Sequence, residues 1–153
     1  MTLLLAFIIG FFAGLRALTA PAATAWAVYL GWLKLDGWLA LIGSVPSVAI
    51  FTVLAIVELV ADKLPRTPSR TAPPGLIARI AMGGLSGAAI AAGATQGVFL
   101  GALLGAGGGV AGCFLGYRAR TGLVHALGVR DLYVALTEDI VAIAGSLWVV
   151  SRF

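Results

Sequence analysis

Apolar residues run along this chain in long stretches with short polar breaks, and the spacing of the breaks predicts the elements. The first stretch extends from about Leu3 to Leu33 and is interrupted at Arg16 to Pro21. Proline removes a backbone donor and clashes with the preceding turn, so this segment is either one long broken helix or two shorter helices meeting at Thr19-Ala20-Pro21. Lys34-Leu35-Asp36-Gly37 reads as a turn, and the next helix should run from Trp38, or from Ser47 after Pro46, to Leu64. Beyond a proline-rich polar connection, helices are predicted at Gly75–Gly93, Gly97–Tyr117 and Asp131–Val150, separated at Thr95-Gln96-Gly97 and at Arg118–Gly128. Runs long enough to cross about 30 Å of hydrocarbon recur along the sequence. They lack strict alternation, which favours helices over a barrel. The expected fold is all-α: a polytopic transmembrane bundle of five to six helices, forming a single transmembrane domain over residues 1–153. Its halves, 1–65 and 75–153, are joined by the Pro/Arg-rich loop 65–74. Six helices split three and three would make an inverted repeat, a plan found in many transporters.

Composition strengthens the membrane reading. Of 153 residues 61% are hydrophobic and 10% charged, with a mean hydropathy of +1.07, against about 25% charged in soluble domains. The net charge of +4 is no nucleic-acid signature, because the basic residues sit in short loops. Lys63, Arg66, Arg70 and Arg79 flank one loop, and Arg118, Arg120 and Arg130 flank another, two helices away; only Lys34 and Arg152 lie opposite. The bias places loops 63–79 and 118–130 in the cytoplasm and the C-terminus outside. The N-terminus is inside if the first segment crosses once and outside if it forms two helices. Trp32, Trp38 and Trp148 suit an outer interfacial belt. Leu3 to Phe12 followed by Ala20-Pro21-Ala22 could pass for a signal peptide, but no Lys or Arg precedes the apolar run, so the segment is expected to stay as a membrane helix. Cys113 stands alone, which excludes a disulfide within the chain.

Candidate chemistry lies in carboxylates set within apolar sequence. Glu58 closes the run Phe51–Val57, and Glu138-Asp139 precedes Ile140–Gly145. Charge is costly in lipid, so such groups face a partner, a cavity or a pathway. Glu58 and Asp62 share a helix face, Glu138 and Asp139 diverge by about 100°, and both glutamates reach similar depth in the same leaflet. If their helices touch, Glu58, Asp62, Glu138 and Asp139 form one cluster that could bind a proton or a hard cation such as Na⁺, Mg²⁺ or Ca²⁺. Arg16 is the candidate counter-ion, and the bland counterpart is an Arg16–Glu pair that only fixes helix register. Lys63, Arg66 and Arg70 are placed to reach headgroup phosphates. Gly105, Gly108, Gly109 and Gly112 fall at spacings that allow close helix packing, within one chain or between copies. His125 lies in a short amphipathic loop with no ligand-spaced neighbour, so a metal site there is not expected.

Gly14-Leu15-Arg16 with Pro21, then Glu58 to Pro65, then Gly107 to Gly112, then Leu136 to Ala142 occur in this order. Together they resemble a family of small bacterial inner-membrane proteins, domain of unknown function (DUF) 4126, over nearly the whole chain. The resemblance implies a multi-pass helical protein of the bacterial inner membrane and carries no activity. Leu15 stands where an aromatic is expected, and Val110 where a small polar residue is usual. The leading functional expectation is a small transporter, flippase or channel using the carboxylates. The alternatives are an accessory membrane subunit without transport, and a Mg²⁺-dependent enzyme acting on lipid phosphates. The last lacks the paired-aspartate signature of CDP-alcohol phosphotransferases and the multiple histidines of lipid phosphatases. An enzyme is not expected, nor is a cofactor or a nucleic-acid partner. The expected partners are the bilayer, further copies of the chain, and a small-molecule or ionic substrate of unspecified identity.

Overall fold

The computed structural model describes residues 1–63, 71–128 and 130–153. Among these residues the chain is helical and holds no strand. Six α-helices follow in order: α1 (Thr2–Leu15), α2 (Thr19–Tyr29), α3 (Val45–Ala61), α4 (Pro73–Gly93), α5 (Val98–Leu127) and α6 (Asp131–Val150). A short 3-10 helix (Gly37–Gly43) precedes α3. Ser44 separates the two, accepts a side-chain bond from the Ser47 N–H and leaves Pro46 in the first turn of α3, where a missing N–H costs nothing.

The first segment adopts the two-helix alternative, and its break falls at Arg16-Ala17-Leu18 rather than at Pro21, which sits in the first turn of α2. Gly10 lies against Gly105, and Gly14 against Gly109 and Cys113, so α1 runs alongside α5. Phe12 meets Gly145, and Arg16 meets Asp139, so α1 runs against α6. The α2 helix returns against α3: Ala17 and Leu18 lie beside Glu58, and Trp26 donates to Thr52 at 3.0 Å. Thus α1 and α2 form a helical hairpin with its tip at Arg16–Leu18, and Met1 lies at the same end of the bundle as Phe153. With 14 and 11 residues, these helices are about 21 and 16 Å long. Neither alone matches the roughly 30 Å of a hydrocarbon core.

The break expected at Arg118–Gly128 does not form: α5 continues through it to Leu127 and ends at Gly128 in the left-handed conformation (φ 60°). The polarity of this stretch marks where hydrocarbon ends, not where the helix does: Ala119, Arg120, Leu123, Ala126 and Leu127 are good helix formers. His125 is therefore helical, in the last turn of α5. The expected connection 65–74 falls mostly on residues outside the described ones, and its end, Pro73-Pro74, opens α4.

Glycine sets how closely α5 approaches its neighbours. A Cβ on Gly105 would lie 2.2 Å from the Gly83 carbonyl oxygen, one on Gly108 2.2 Å from that of Phe7, one on Gly109 2.6 Å from that of Arg79, and one on Gly112 2.1 Å from that of Phe11. These contacts are to backbone, which cannot swing aside. Without a hydrophobic driving force between helices in lipid, such close van der Waals packing carries the association. Gly107 meets nothing within 4 Å. Gly112→Ala should therefore lower the melting temperature in detergent, by about 1–3 kcal/mol of overpacking. Gly107→Ala should leave it unchanged or raise it by up to about 1 kcal/mol through helix propensity. Equal effects at the two positions would refute the close-packing argument.

Candidate functional site: the charged hairpin tip

Breaking a helix at the depth of a membrane frees backbone groups that no lipid can satisfy. Around Arg16–Leu18 side chains from two other helices do so. The Ala17 and Leu18 N–H groups donate to the two carboxylate oxygens of Glu58 on α3, at 2.8 and 2.9 Å. At the carboxyl end of α1, the Gly14 carbonyl accepts from Arg79 Nε on α4 at 3.0 Å. Arg79 also donates to the Gly75 carbonyl, at 3.0 Å, and its Nη2 lies 3.9 Å from Glu58 Oε1. Glu58 and Arg79 thus grip opposite sides of the turn and face each other.

The second layer is built on Arg16, whose side chain is fully buried. Its guanidinium pairs with Asp62 just past the end of α3, and its Nη2 lies 2.6 Å from Asp139 Oδ1 on α6. The other Asp139 oxygen pairs with Lys63 Nζ at 2.6 Å, and Lys63 also donates to the Leu59 carbonyl at 2.7 Å. The result is an alternating row, Asp62–Arg16–Asp139–Lys63, beside the pair Glu58–Arg79. Three carboxylates meet three cations among the described residues.

Four of the candidate residues, Glu58, Asp62, Asp139 and Arg16, come together at the tip, and Lys63 joins them instead of reaching outward to phosphate. Arg66 and Arg70 lie outside the described residues. Glu138 does not join. The 100° between neighbours on α6 turns Asp139 inward to Arg16 and Glu138 toward α5, where its Oε2 lies 3.7 Å from Arg120 Nη1. Arg120 is held chiefly by Asp131, with Nε donating to Oδ1 at 2.7 Å. The single four-carboxylate cluster is therefore divided in two, because α3 and α6 are bridged by the hairpin tip and by Lys63. Among the described residues, no group of three or more His, Cys, Asp or Glu side chains could hold a metal ion.

Sequence reasoning missed Arg79, counting it as a loop-flanking charge. The signal was present: it is the only charged residue within Leu76–Gly93, so its depth alone marks it as a partner for a carboxylate. A further feature had no signal in the sequence. Between α1, α5 and α6 lies a cleft of about 280 Å³, lined by Phe11, Leu15, Leu115, Leu123, Val134 and Val141, with Arg120 and Glu138 on its wall.

Among the described residues three helices, α4, α5 and α6, are long and apolar enough to cross a membrane, and a fourth span is added if the 3-10 helix and α3, bent by 57°, count as one. Their outer faces carry exposed Ile77, Leu103, Phe114, Ile140 and Leu147, while Arg79 on α4 and Asp139 on α6 are buried. The molecule is a helical membrane protein. Its sequence matches the domain of unknown function DUF4126 over residues 3–151, and the chain belongs to that family. No curated protein and no solved structure matches it.

Proposed function

We propose that this protein is a small transporter or channel of the bacterial inner membrane in which the hairpin-tip network is the gate. The observation that carries the reading is a set of polar groups continuing from the network into the apolar core. Ser146 lies seven residues beyond Asp139 on α6, and Ser86 seven beyond Arg79 on α4, two helical turns along the same face in each case. Both serines are buried, as is Thr19 at the tip, and their hydroxyls have no hydrogen-bond partner among the described residues. Unmet hydroxyls in a membrane core are costly and are suited to a path that admits water or a small polar solute. The bias of six basic residues (Lys63, Arg66, Arg70, Arg118, Arg120, Arg130) against two (Lys34, Arg152) supports a cytoplasmic position for the gate end.

The ion proposed for the gate is a proton and not a metal cation. With three carboxylates against three cations, a metal cation would have to displace an internal partner. Asp139 holds both Arg16 and Lys63, so opening the gate means parting these pairs, and Lys63, 24% exposed, can then swing toward the interface. In proteoliposomes carrying an internal pH dye, Asp139→Asn should abolish solute-coupled or passive proton flux while the protein stays folded. Ser146→Ala should reduce the flux less. Unchanged flux in Asp139→Asn would end the gate reading.

The neutrality of the network favours a second reading: a static clamp that fixes the hairpin in an accessory membrane subunit. Replacing Arg16, Asp62, Asp139 and Lys63 together with apolar residues of similar volume, with Glu58 and Arg79 kept for the backbone groups they bind, would then preserve or raise stability with no loss of cellular function. The gate reading expects function to be lost.

A further inference from the structure

The cleft between α1, α5 and α6 lies apart from the hairpin clamp. We propose that it is a binding site for a zwitterionic aminophospholipid of the cytoplasmic-side leaflet, with the phosphate on Arg120, the ammonium on Glu138 and one acyl chain in the cleft. Its depth fits. With 30 residues, α5 is about 45 Å long, enough to reach from headgroup to headgroup. Arg120 lies seven residues before its end, or about 10 Å, close to the level of lipid phosphates and ester groups. Above Arg120, toward the hairpin tip, the wall is formed by Leu115, Leu15 and Phe11, and Val134 and Val141 flank Glu138 on α6. An apolar cleft of about 280 Å³ is not filled by water, and bilayer hydrocarbon is its natural occupant.

Charge selects the headgroup. The side chain of Arg120 is 16% exposed and that of Glu138 9% exposed, while Asp131 is 58% exposed. The Arg120–Asp131 pair is thus open to solvent at its acidic end, where ion pairs are weak and exchange readily. A phosphate diester can take the guanidinium fork now directed at Asp131. Glu138, with its carboxylate oxygen 3.7 Å from Arg120, then lies within one headgroup's reach. It attracts a primary ammonium, which has three donors, and repels a second anion. Phosphatidylethanolamine satisfies both ends, phosphatidylglycerol only the first, and a choline headgroup has no N–H to donate. The site needs only the membrane fold and stands whether or not the hairpin tip conducts.

The test is native mass spectrometry of the detergent-solubilised protein, titrated in turn with phosphatidylethanolamine, phosphatidylcholine and phosphatidylglycerol of matched acyl chains. One saturable phosphatidylethanolamine is expected, bound roughly tenfold more tightly than the other two. Arg120→Gln should weaken all three lipids, and Glu138→Gln should remove the preference for phosphatidylethanolamine over phosphatidylglycerol. Leu123→Trp, made at a half-exposed position on the cleft wall, should block the site while leaving both charges in place. Should a charge variant fail to fold, this third variant decides. Equal binding of the three lipids, a preference for phosphatidylglycerol, or full binding by Leu123→Trp would each overturn the assignment.

Discussion

Arg16→Ala is expected to destabilise the protein more than any other single substitution, by about 3–5 kcal/mol, the scale for removing one partner of a buried ion pair. Against total stabilities of about 5–15 kcal/mol for single domains, the variant should be largely unfolded or recoverable only at low temperature. The physical reason is the place of Arg16 in the row. It is the fully buried cation between Asp62 and Asp139, and without it two carboxylates share a poorly solvated site. Lys63 still neutralises one face of Asp139, but Asp62 loses its guanidinium partner. Replacing the row together separates the charge cost from packing: Arg16→Met with Asp62→Leu, Asp139→Leu and Lys63→Met should recover most of the loss, because no member of the row is left without its partner. Thermal unfolding in detergent, followed by circular dichroism, reads both effects. A melting temperature for Arg16→Ala within a degree or two of the unsubstituted protein would show that the row carries no weight.

Glu58→Ala should come next, at about 3–4 kcal/mol, and with a local signature. It strips the Ala17 and Leu18 N–H groups of their acceptors, each unmet buried group costing about 1–3 kcal/mol, and takes the facing charge from Arg79. Glu58→Gln should be intermediate, since its amide oxygen accepts one N–H while its NH₂ cannot accept the other. Hydrogen exchange should therefore accelerate first at residues 16–18, ahead of the flanking helices, in the order alanine, glutamine, glutamate. Uniform acceleration across α1 to α6 would mean that Glu58 supports the whole bundle and not the turn.

The sequence made the outline and the charged centre legible through one physical rule, that charge is expensive in an apolar surround. Glu58, Asp62, Asp139 and Arg16 stand out in their stretches, and the structure brings these four together. The same rule applied evenly would have found Arg79, and it was missed because a nearby polar loop offered an easier explanation. What could not be read was angular phase. Whether Glu138 or Asp139 turns toward Arg16 depends on the rotation of α6 about its axis, and two adjacent carboxylates give no means of choosing. Pro21 misdirected the position of the break, since proline is as comfortable in the first turn of a helix as it is disruptive in the middle. The cleft beside Arg120 depends on α5 continuing past Tyr117, beyond the point where polarity suggested an end.

The hairpin also imposes an order on biosynthesis. Arg16 leaves the ribosome long before Asp62, Arg79 and Asp139, the last of which lies near the far end of the chain. Until those residues arrive, the nascent tip carries an uncompensated guanidinium and unmet backbone amides, and neither short helix can settle alone into lipid. The hairpin can therefore reach its docked place only once α3, α4 and α6, which are made after it, have supplied Glu58, Arg79 and Asp139.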